Sequence, residues 1–342
     1  MTPLKLITDD KIPYVSDFFT NCDEIISIPG EKITHAVLKN ADILLTRTVT
    51  QIDAALLKNT AVKFVGSATS GVDHVDEKWL SKNHITFATA AGANAIAVAE
   101  YVLCVIAALN KEKKWSPHKN SVVGVIGCGR IGRIVATLFE KLNCKVICYD
   151  PLLIEKPHFH FVSLEALISQ ADLISIHTPL TKTGLHPTHH MIDQKKISHL
   201  KSNVILINTA RGAVIDQSAL LDRKEMTICL DVWENEPHIS AELLQTVFIG
   251  TPHIAGYSLD AKYRATQMIY QQAAVFFDWH RSASTKKEGI DFKKPIIEQA
   301  LSVYDPISHT KNFREAYKTH AQTAFTTARK NYVLRENILI MD

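Results

Sequence analysis

Three residues of different chemical type each come shortly after a short apolar run in the second half of the chain. They are Arg211, Glu236 and His253. The runs are Val204–Ile207, Thr227–Leu230 and Val247–Ile249. Such runs are typical of buried strands, and parallel strands bring their carboxyl ends to one edge of a sheet. At that edge an arginine can hold a 2-oxo or 2-hydroxy carboxylate, and a histidine oriented by a glutamate can take the hydroxyl proton as a hydride leaves. The trio therefore predicts oxidation of a 2-hydroxy acid.

Each of the three residues alone also fits a structural role. Arg211 can cap a loop before the following glycine, and Glu236 can belong to a turn at the following proline. His253 can be a hydrogen-bonded core histidine. Any one of these structural interpretations is as good as the catalytic one, but their coincidence at three successive strand ends favours a catalytic set.

A glycine-rich turn, Gly127-Cys128-Gly129-Arg130-Ile131-Gly132, is the second chemical feature. It follows the β-branched run Val122–Ile126 and precedes apolar residues at helical spacing, which predicts a strand, a turn and a helix. In a G-x-G-x-x-G turn the glycines permit the tight turn, the approach of a pyrophosphate and close helix packing. The helix N-terminus offers N–H groups to the phosphates. The predicted cofactor contacts here are Gly127, Gly129, Arg130, Ile131 and Gly132.

An acidic residue stands where such a site needs one. The chain continues into a second predicted strand, Lys145–Tyr149, and reaches Asp150 18 positions after Gly132. A carboxylate there can accept hydrogen bonds from ribose hydroxyls, and its charge repels the 2′-phosphate of NADP. A glycine turn alone would also fit other α/β proteins, but the full order of strand, turn, helix, strand and acid predicts NAD as the cofactor.

The amino-terminal part of the chain also has polar residues at predicted strand ends. One group follows the run Ala41–Thr46, and a small polar loop follows the run Val62–Val65. Ligands gather outside the carboxyl ends of parallel strands. Arg47 can pair with a carboxylate or a phosphate, although a surface salt bridge explains it equally well. The predicted substrate contacts here are Arg47, Thr48, Thr69, Ser70 and Gly71.

The composition is that of an ordinary globular chain. Hydrophobic residues make up 46% and charged residues 21% of the 342 positions. The six cysteines form no C-x-x-C pair, and the amino end turns acidic before a signal peptide could form, so we predict reduced cysteines and a cytoplasmic protein. His186, His189 and His190 cluster in a predicted loop, which favours solvated histidines, and we predict no metal site.

The last part of the chain is basic. Residues 281–342 hold eleven Lys or Arg against seven Asp or Glu, in a chain of formal net charge +3. A basic tail can bind nucleic acid, but no aromatic and basic alternation accompanies this one. We therefore expect neither a nucleic-acid partner nor a membrane partner, and favour a solvated or oligomerising face.

The three catalytic segments resemble those of the D-2-hydroxyacid dehydrogenase family. They read Asn208-x-x-Arg211-Gly212, Asp231-Val232-x-x-x-Glu236-Pro237 and Thr251-Pro252-His253-Ile254-x-Gly256. The resemblance implies that Arg211 binds substrate, that His253 is the general acid/base and that Glu236 is its partner. It further implies cofactor contacts from Thr178, Asp231 and Gly256.

Within this family the chain is similar to members that oxidise a phosphorylated four-carbon 2-hydroxy acid for pyridoxal phosphate (vitamin B6) synthesis. The likeness is carried by Phe64–Asp76, Asn94–Tyr101, Asp231–Trp233 and His253–Tyr257, and is weaker after residue 285. It implies that Thr48, Thr69 and Tyr257 contact substrate, with Arg47 close to them. Further on, Val303–Asp305 and Arg329–Tyr332 resemble the extra carboxyl-terminal dimerisation domain of those members, which implies a homodimer.

Together these features predict an α/β protein with two Rossmann-like lobes plus a small carboxyl-terminal dimerisation domain. We expect a discontinuous substrate-binding domain (1–95 and 256–280), an NAD-binding Rossmann domain (96–255) and a dimerisation region (281–342). The expected reaction is NAD-dependent oxidation of a phosphorylated 2-hydroxy acid. Two alternatives are another D-2-hydroxyacid dehydrogenase, of the phosphoglycerate or hydroxypyruvate type, and a catalytically silent NAD-sensing regulator.

Overall fold

Strands and helices alternate along the chain in the computed structural model, which describes residues 3–69, 71–154, 158–279 and 297–336. The strands are β1 (Lys5–Asp9), β2 (Glu24–Ile28), β3 (Ile43–Thr46), β4 (Phe64–Ser67), β5 (Thr86–Thr89), β6 (Val122–Ile126), β7 (Lys145–Tyr149), β8 (His160–Phe161), β9 (Leu173–Ile176), β10 (Ile205–Asn208), β11 (Thr227–Leu230) and β12 (Ile249–Gly250). The helices are α1 (Val15–Phe18), α2 (His35–Leu38), α3 (Ala54–Leu57), α4 (Glu77–Lys82), α5 (Ala95–Lys111), α6 (Arg130–Lys141), α7 (Leu164–Gln170), α8 (Gln194–Ser198), α9 (Ala241–Thr246), α10 (Leu259–Phe276), α11 (Ile297–Val303) and α12 (Pro306–Lys330). Within those described ranges, no helix combines the length and the apolar character needed to cross a bilayer.

The first of two compact units takes its described residues from Met1–Asn94 and Ser258–Gly289. Its sheet is parallel, with strand order β2-β1-β3-β4-β5. Strands β3 and β4 are buried along their whole length, as expected where helices cover both faces of a parallel sheet. Helix α10 lies so close to β4 that a side chain at Gly66 would clash with Ile269.

The second unit takes its described residues from Ala95–Tyr257 and Ile290–Met341. Its seven strands are also parallel, in the order β12-β11-β10-β9-β6-β7-β8. The chain order reverses between β6 and β9, and in open α/β sheets such a switch point is where ligands bind. The parallel sheets of both units confirm the predicted α/β class with Rossmann-like organisation.

Helix α5 is buried on all sides from Ala95 to Leu109. Apolar residues occur around its whole circumference, which is typical of a helix inside a core rather than on a surface. It packs against α6, α11 and α12 within the second unit.

The carboxyl-terminal helix α12 is part of the same unit. Asp305 caps its first turn, and its Oδ1 accepts the N–H groups of Ile307 (2.9 Å) and Ser308 (3.2 Å). Thr310 Oγ1 accepts the N–H of Gly250 at 3.0 Å, which joins the helix to β12. Residues 297–336 of the predicted dimerisation region therefore complete the core of the second unit, and the rest of that region lies outside the described residues.

One predicted strand is shorter than its apolar run. Of Val247–Ile249, only Ile249 belongs to β12, together with Gly250, although the Phe248 N–H donates to Ile228 O of β11 at 2.8 Å. The Val247 N–H instead donates to Leu243 O at 3.1 Å, so this residue closes the last turn of α9. Because the run follows a helix directly, its first residue satisfies the helix end before the strand begins.

Candidate active site

The glycine turn lies at the switch point of the seven-stranded sheet. Gly127 has a φ of +85°, and an added Cβ would lie 2.8 Å from the backbone of His177 and Thr178. A Cβ at Gly132 would clash with the Gly127 carbonyl oxygen. By contrast, a Cβ at Gly129 would have no described atom within 4 Å. The first and third glycines are thus required by the protein itself, whereas the second leaves space at the N-terminus of α6 that fits a pyrophosphate.

Asp150 follows β7, and its carboxylate is tied to this turn. Its Oδ2 accepts the N–H of Cys128 at 2.8 Å, and its Oδ1 accepts the N–H of Leu152 at 3.2 Å. Each carboxylate oxygen can accept more than one hydrogen bond. The ribose hydroxyls that are predicted to bind here can therefore donate hydrogen bonds to a carboxylate whose position the turn already fixes. Arg130 and Ile131 form the first turn of α6 beside it.

His177 supports the turn from the end of β9. Its Nε2 lies 2.8 Å from Ser175 Oγ, and its Nδ1 lies 3.3 Å from Thr209 Oγ1. The residue keeps some solvent access, but burial of the ring lowers the pKa of His177 to about 3. The imidazole is therefore neutral at physiological pH. The next residue, Thr178, is the predicted cofactor contact and lies against Gly127.

Arg211 lies on a loop that the buried Asn208 shapes. Asn208 Oδ1 accepts the N–H of Ala210, and Asn208 Nδ2 donates to the carbonyl of Arg211, both at 3.0 Å. Arg211 Nη1 donates to Ala210 O at 2.8 Å, so the loop-capping role is present in the structure. A side chain at Gly212 would clash with the Trp233 backbone. The Asn-x-x-Arg-Gly pattern thus meets packing needs as well as placing a guanidinium after β10.

The buried carboxylate of Asp231 organises the loop that carries His253. Its Oδ1 accepts the Thr251 hydroxyl (2.7 Å) and the N–H of Ile254 (2.8 Å), and its Oδ2 accepts the N–H of Ala255 (2.9 Å). Its backbone carbonyl accepts the N–H of His253 at 2.7 Å. These bonds hold His253 at a φ of +57°, a region that non-glycine residues seldom adopt. The predicted cofactor contact of Asp231 stays a prediction, and its structural role was not foreseen from the sequence.

Glu236 and His253 are in direct contact. Glu236 Oε2 lies 2.8 Å from His253 Nδ1, and Glu236 Oε1 accepts the N–H of Trp233 at 2.9 Å. Burial acts to raise the pKa of Glu236, but the hydrogen bond and charge of His253, the Trp233 N–H and the charge of Arg329 together lower it below its usual value. An ionised carboxylate can only accept, so His253 Nδ1 carries the proton and Nε2 of the neutral ring is a proton acceptor.

Two arginines of the carboxyl-terminal segment reach the same loop. Arg329 Nε donates to Tyr257 Oη at 2.9 Å, and its guanidinium carbon lies 5.4 Å from the centre of the Tyr257 ring. Arg335 Nη2 donates to Ala255 O at 2.5 Å and to Ala97 O at 2.6 Å. The predicted contacts Gly256 and Tyr257 therefore lie in a segment that these arginines hold. The sequence assigns neither arginine to this loop, since Arg329 is only part of a segment that resembles a dimerisation domain and Arg335 belongs to no motif.

In the first unit, Arg47 pairs with an acid at the end of β1. Its Nη2 lies 3.0 Å from Oδ1 of Asp9, a residue with no solvent exposure. The partner is thus buried, which differs from the surface salt bridge considered above. Thr48, next in the chain, is exposed.

The small polar loop after β4 is held by its own hydroxyl groups. Thr69 Oγ1 lies 2.8 Å from Ser67 Oγ and donates to the carbonyl of Gly71 at 3.0 Å. His74 Nε2 lies 3.2 Å from the same Ser67 hydroxyl. Ser70 lies outside the described residues. Thr69 and Gly71 are therefore brought together, and their predicted contact with substrate stays a prediction.

The described residues contain no group of three or more His, Cys, Asp or Glu placed to hold a metal ion. The rings of His189 and His190 stack with centres 4.1 Å apart, and His190 Nε2 lies 2.6 Å from Glu234 Oε1. His186 is exposed. All six cysteines are free thiols.

Comparison with known proteins identifies the family. The model of the D-isomer specific 2-hydroxyacid dehydrogenase NAD binding domain matches residues 103–255. The erythronate-4-phosphate dehydrogenase of Coxiella burnetii is 41% identical over 344 positions, which cover 97% of this chain and 93% of the relative. That of Acinetobacter baumannii is 38% identical over 346 positions, covering 97% of each chain. D-Lactate dehydrogenase from Aquifex aeolicus, solved with NAD and lactic acid, has a TM-score of 0.64 and 26% identity, covering 80% of this chain and 95% of that one.

These findings agree with the chemistry predicted from the residues. The matched NAD-binding domain contains the glycine turn and the segments with Arg211, Glu236 and His253. The cofactor prediction is confirmed: this is an NAD-dependent 2-hydroxyacid dehydrogenase. The chain belongs to the erythronate-4-phosphate dehydrogenases of the D-isomer specific 2-hydroxyacid dehydrogenase family.

Proposed function

We propose that this enzyme oxidises 4-phospho-D-erythronate at C2, with NAD, to (R)-3-hydroxy-2-oxo-4-phosphooxybutanoate in pyridoxal 5′-phosphate biosynthesis. The substrate named by the two relatives supports this choice over 3-phosphoglycerate or hydroxypyruvate. The observation that carries the chemistry is the contact of 2.8 Å between Glu236 and His253. A silent NAD-sensing regulator would have no need for an oriented base of this kind.

His253 is the proposed general base. Its neutral Nε2 takes the proton of the C2 hydroxyl while the C2–H bond breaks, and the oxygen electrons form the new carbonyl. NAD, when bound at the glycine turn, supplies the hydride acceptor. The ionised Glu236 stabilises the imidazolium that forms and keeps Nε2 directed away from itself.

Arg211 is proposed to hold the C1 carboxylate. A guanidinium matches a carboxylate with two parallel N–H donors, which fixes both the position and the orientation of the acid. That placement would set the C2 hydroxyl toward the base and the C2–H bond toward the cofactor. The other proposed substrate contacts are Arg47, Thr48, Thr69, Ser70, Gly71 and Tyr257.

We also propose that the enzyme is a cytoplasmic homodimer. The resemblance of Val303–Asp305 and Arg329–Tyr332 to a dimerisation domain supports the dimer. The six free cysteines are typical of a reducing compartment. Light scattering coupled to size-exclusion chromatography tests the dimer, and a monomer mass would contradict it.

The test of activity is NADH formation by purified protein with 4-phospho-D-erythronate, compared with 3-phosphoglycerate and glycerate. A second assay adds a 2-oxo acid that can reoxidise NADH in place, in case the cofactor does not leave the enzyme. It measures the 2-oxo product of the substrate directly. His253→Ala should abolish turnover, whereas His186→Ala, the same change in an exposed loop, should not. Activity on another 2-hydroxy acid alone would exclude the proposed substrate, and NADH binding without turnover of any acid would favour the regulator.

A further inference from the structure

The last turn of α12 places a cation beside the catalytic loop. Arg329 Nε donates to Tyr257 Oη at 2.9 Å, and Tyr257 lies four residues after the proposed base His253. The Tyr257 ring also packs edge-on against Tyr332, with ring centres 6.3 Å apart. The aromatic contacts fix the position of the ring, and with it the position of the guanidinium.

Arg329 differs from Arg47 and Arg335 in its hydrogen-bond partners. Arg47 is paired with the buried Asp9, and Arg335 is committed to two backbone carbonyls. Arg329, by contrast, has one hydrogen bond, through Nε, and no carboxylate of a described residue lies within ion-pair distance. Its Nη groups are therefore available to a ligand anion. The side chain is partly buried, which strengthens an interaction with a charged ligand.

The positive charge of Arg329 acts on Glu236, a member of the proposed catalytic set. It is among the groups that lower the pKa of Glu236, the partner of His253. Arg329 also contacts Tyr257, which is itself a proposed substrate contact, so its guanidinium lies beside the proposed substrate position. Because the C1 carboxylate is assigned to Arg211 and Arg47 is paired with Asp9, the phosphate at the other end of the four-carbon chain is left for another cation.

We infer that Arg329 binds the phosphate group of the substrate and thereby sets the preference for phosphorylated over unphosphorylated 2-hydroxy acids. The inference rests on the proposed function and assigns a specificity role to the carboxyl-terminal helix. A guanidinium offers paired N–H donors to phosphate oxygens, and charge-assisted bonds of this kind are the strong ones. The alternative is that Arg329 only positions Tyr257.

The test compares 4-phospho-D-erythronate with D-erythronate in the full-length enzyme and in Arg329→Met. The measured quantity is the ratio of the two kcat/KM values. If Arg329 binds phosphate, this ratio falls by about 10- to 100-fold, mainly through the KM of the phosphorylated acid. If Arg329 only positions Tyr257, both values fall together, and an unchanged ratio overturns the inference.

Two further variants complete the design. Lys330→Met removes the neighbouring charge from an exposed side chain of the same helix turn and should leave the ratio within about twofold of wild type. An equal fall of the kcat/KM ratio in Lys330→Met would show that any nearby positive charge has this effect, and it would overturn the inference. Arg329→Lys keeps the charge, should recover part of the preference, and serves as the test if Arg329→Met does not fold.

The outcome for the proposed function is separate. Wild-type protein that does not oxidise 4-phospho-D-erythronate overturns that function, and the same ratio is then measured with 3-phosphoglycerate and glycerate. A wild-type enzyme that turns over phosphorylated and unphosphorylated acids equally overturns the inference about Arg329.

Discussion

The Glu236 carboxylate connects the His253 side chain to the backbone of the loop that carries Glu236. One oxygen lies 2.8 Å from His253 Nδ1, and the other accepts the Trp233 N–H at 2.9 Å. Because the second bond fixes the carboxylate, the first fixes both the tautomer and the orientation of the imidazole. The geometry therefore assigns the two residues a joint role, which the first prediction tests.

Glu236→Gln should reduce kcat/KM by about 100-fold or more, because a neutral amide neither selects the tautomer nor stabilises the imidazolium. The acid limb of the pH profile for oxidation should also move to lower pH, since the protonated form of the base loses its partner. Glu234→Gln is the matched control, as Glu234 contacts His190 instead. An acid limb at the wild-type position in Glu236→Gln would show that Glu236 is not the partner.

The glycine turn offers a pair of identical substitutions with opposite consequences. Gly129→Ala meets no described atom within 4 Å, so the free energy of unfolding should change by less than about 1 kcal/mol. Its methyl group occupies the space expected for the pyrophosphate, so the KM for NAD should rise at least about 10-fold. Gly132→Ala clashes with the Gly127 carbonyl and should cost about 1–3 kcal/mol of stability.

These two effects are separated by urea unfolding and by NAD titration of the steady-state rate. If the Gly129→Ala enzyme binds NAD as tightly as wild type, the pyrophosphate does not occupy the space beside Gly129. A Gly132→Ala protein as stable as wild type would show that helix α6 can move away from the turn.

His177 should make stability depend on pH. Its pKa is about 3 in the folded protein, lowered by burial from its usual value of 6.5. Below pH 6.5 the unfolded chain binds a proton that the folded chain does not. The free energy of unfolding should therefore fall as the pH falls from about 6.5 toward 3, by up to about 1.4 kcal/mol per pH unit. Above pH 6.5 the ring is neutral in both the folded and the unfolded protein, so the free energy of unfolding no longer depends on the titration of His177.

His177→Asn removes this titration. Urea unfolding of both proteins at neutral and mildly acidic pH gives the stability difference between wild type and variant. That difference should shift in favour of the variant as the pH is lowered. A constant difference across the range would contradict the pKa assigned to the buried ring.

Arg335 should be important for stability although it lies close to the end of the chain. Only 5% of the residue is exposed, and its Nη2 serves two backbone carbonyls. Arg335→Met leaves both carbonyls without their donor and should destabilise the protein by about 2–5 kcal/mol in urea unfolding. Arg335→Lys should lose less, and Lys330→Met should be near wild type. A loss below about 0.5 kcal/mol for Arg335→Met would contradict the contact.

The sequence by itself determined the features that depend on local chain geometry. Gly127 needs a positive φ and Gly132 needs a missing Cβ, and both needs follow from the strand, turn and helix in which they stand. The placement of Arg211, Glu236 and His253 after three apolar runs followed in the same way, because parallel strands end at one edge. Those elements are specified by residues within a few positions of each other.

The tertiary structure alone decided which distant groups support the site. The Asp231 carboxylate holds a loop more than twenty residues further along, and Arg335 reaches Ala97 across 238 positions. No periodicity or motif joins such residues, since their contacts depend on how helices and strands pack. A buried carboxylate or guanidinium must find hydrogen-bond partners wherever the fold brings them, and that requirement is set by three-dimensional burial rather than by sequence spacing.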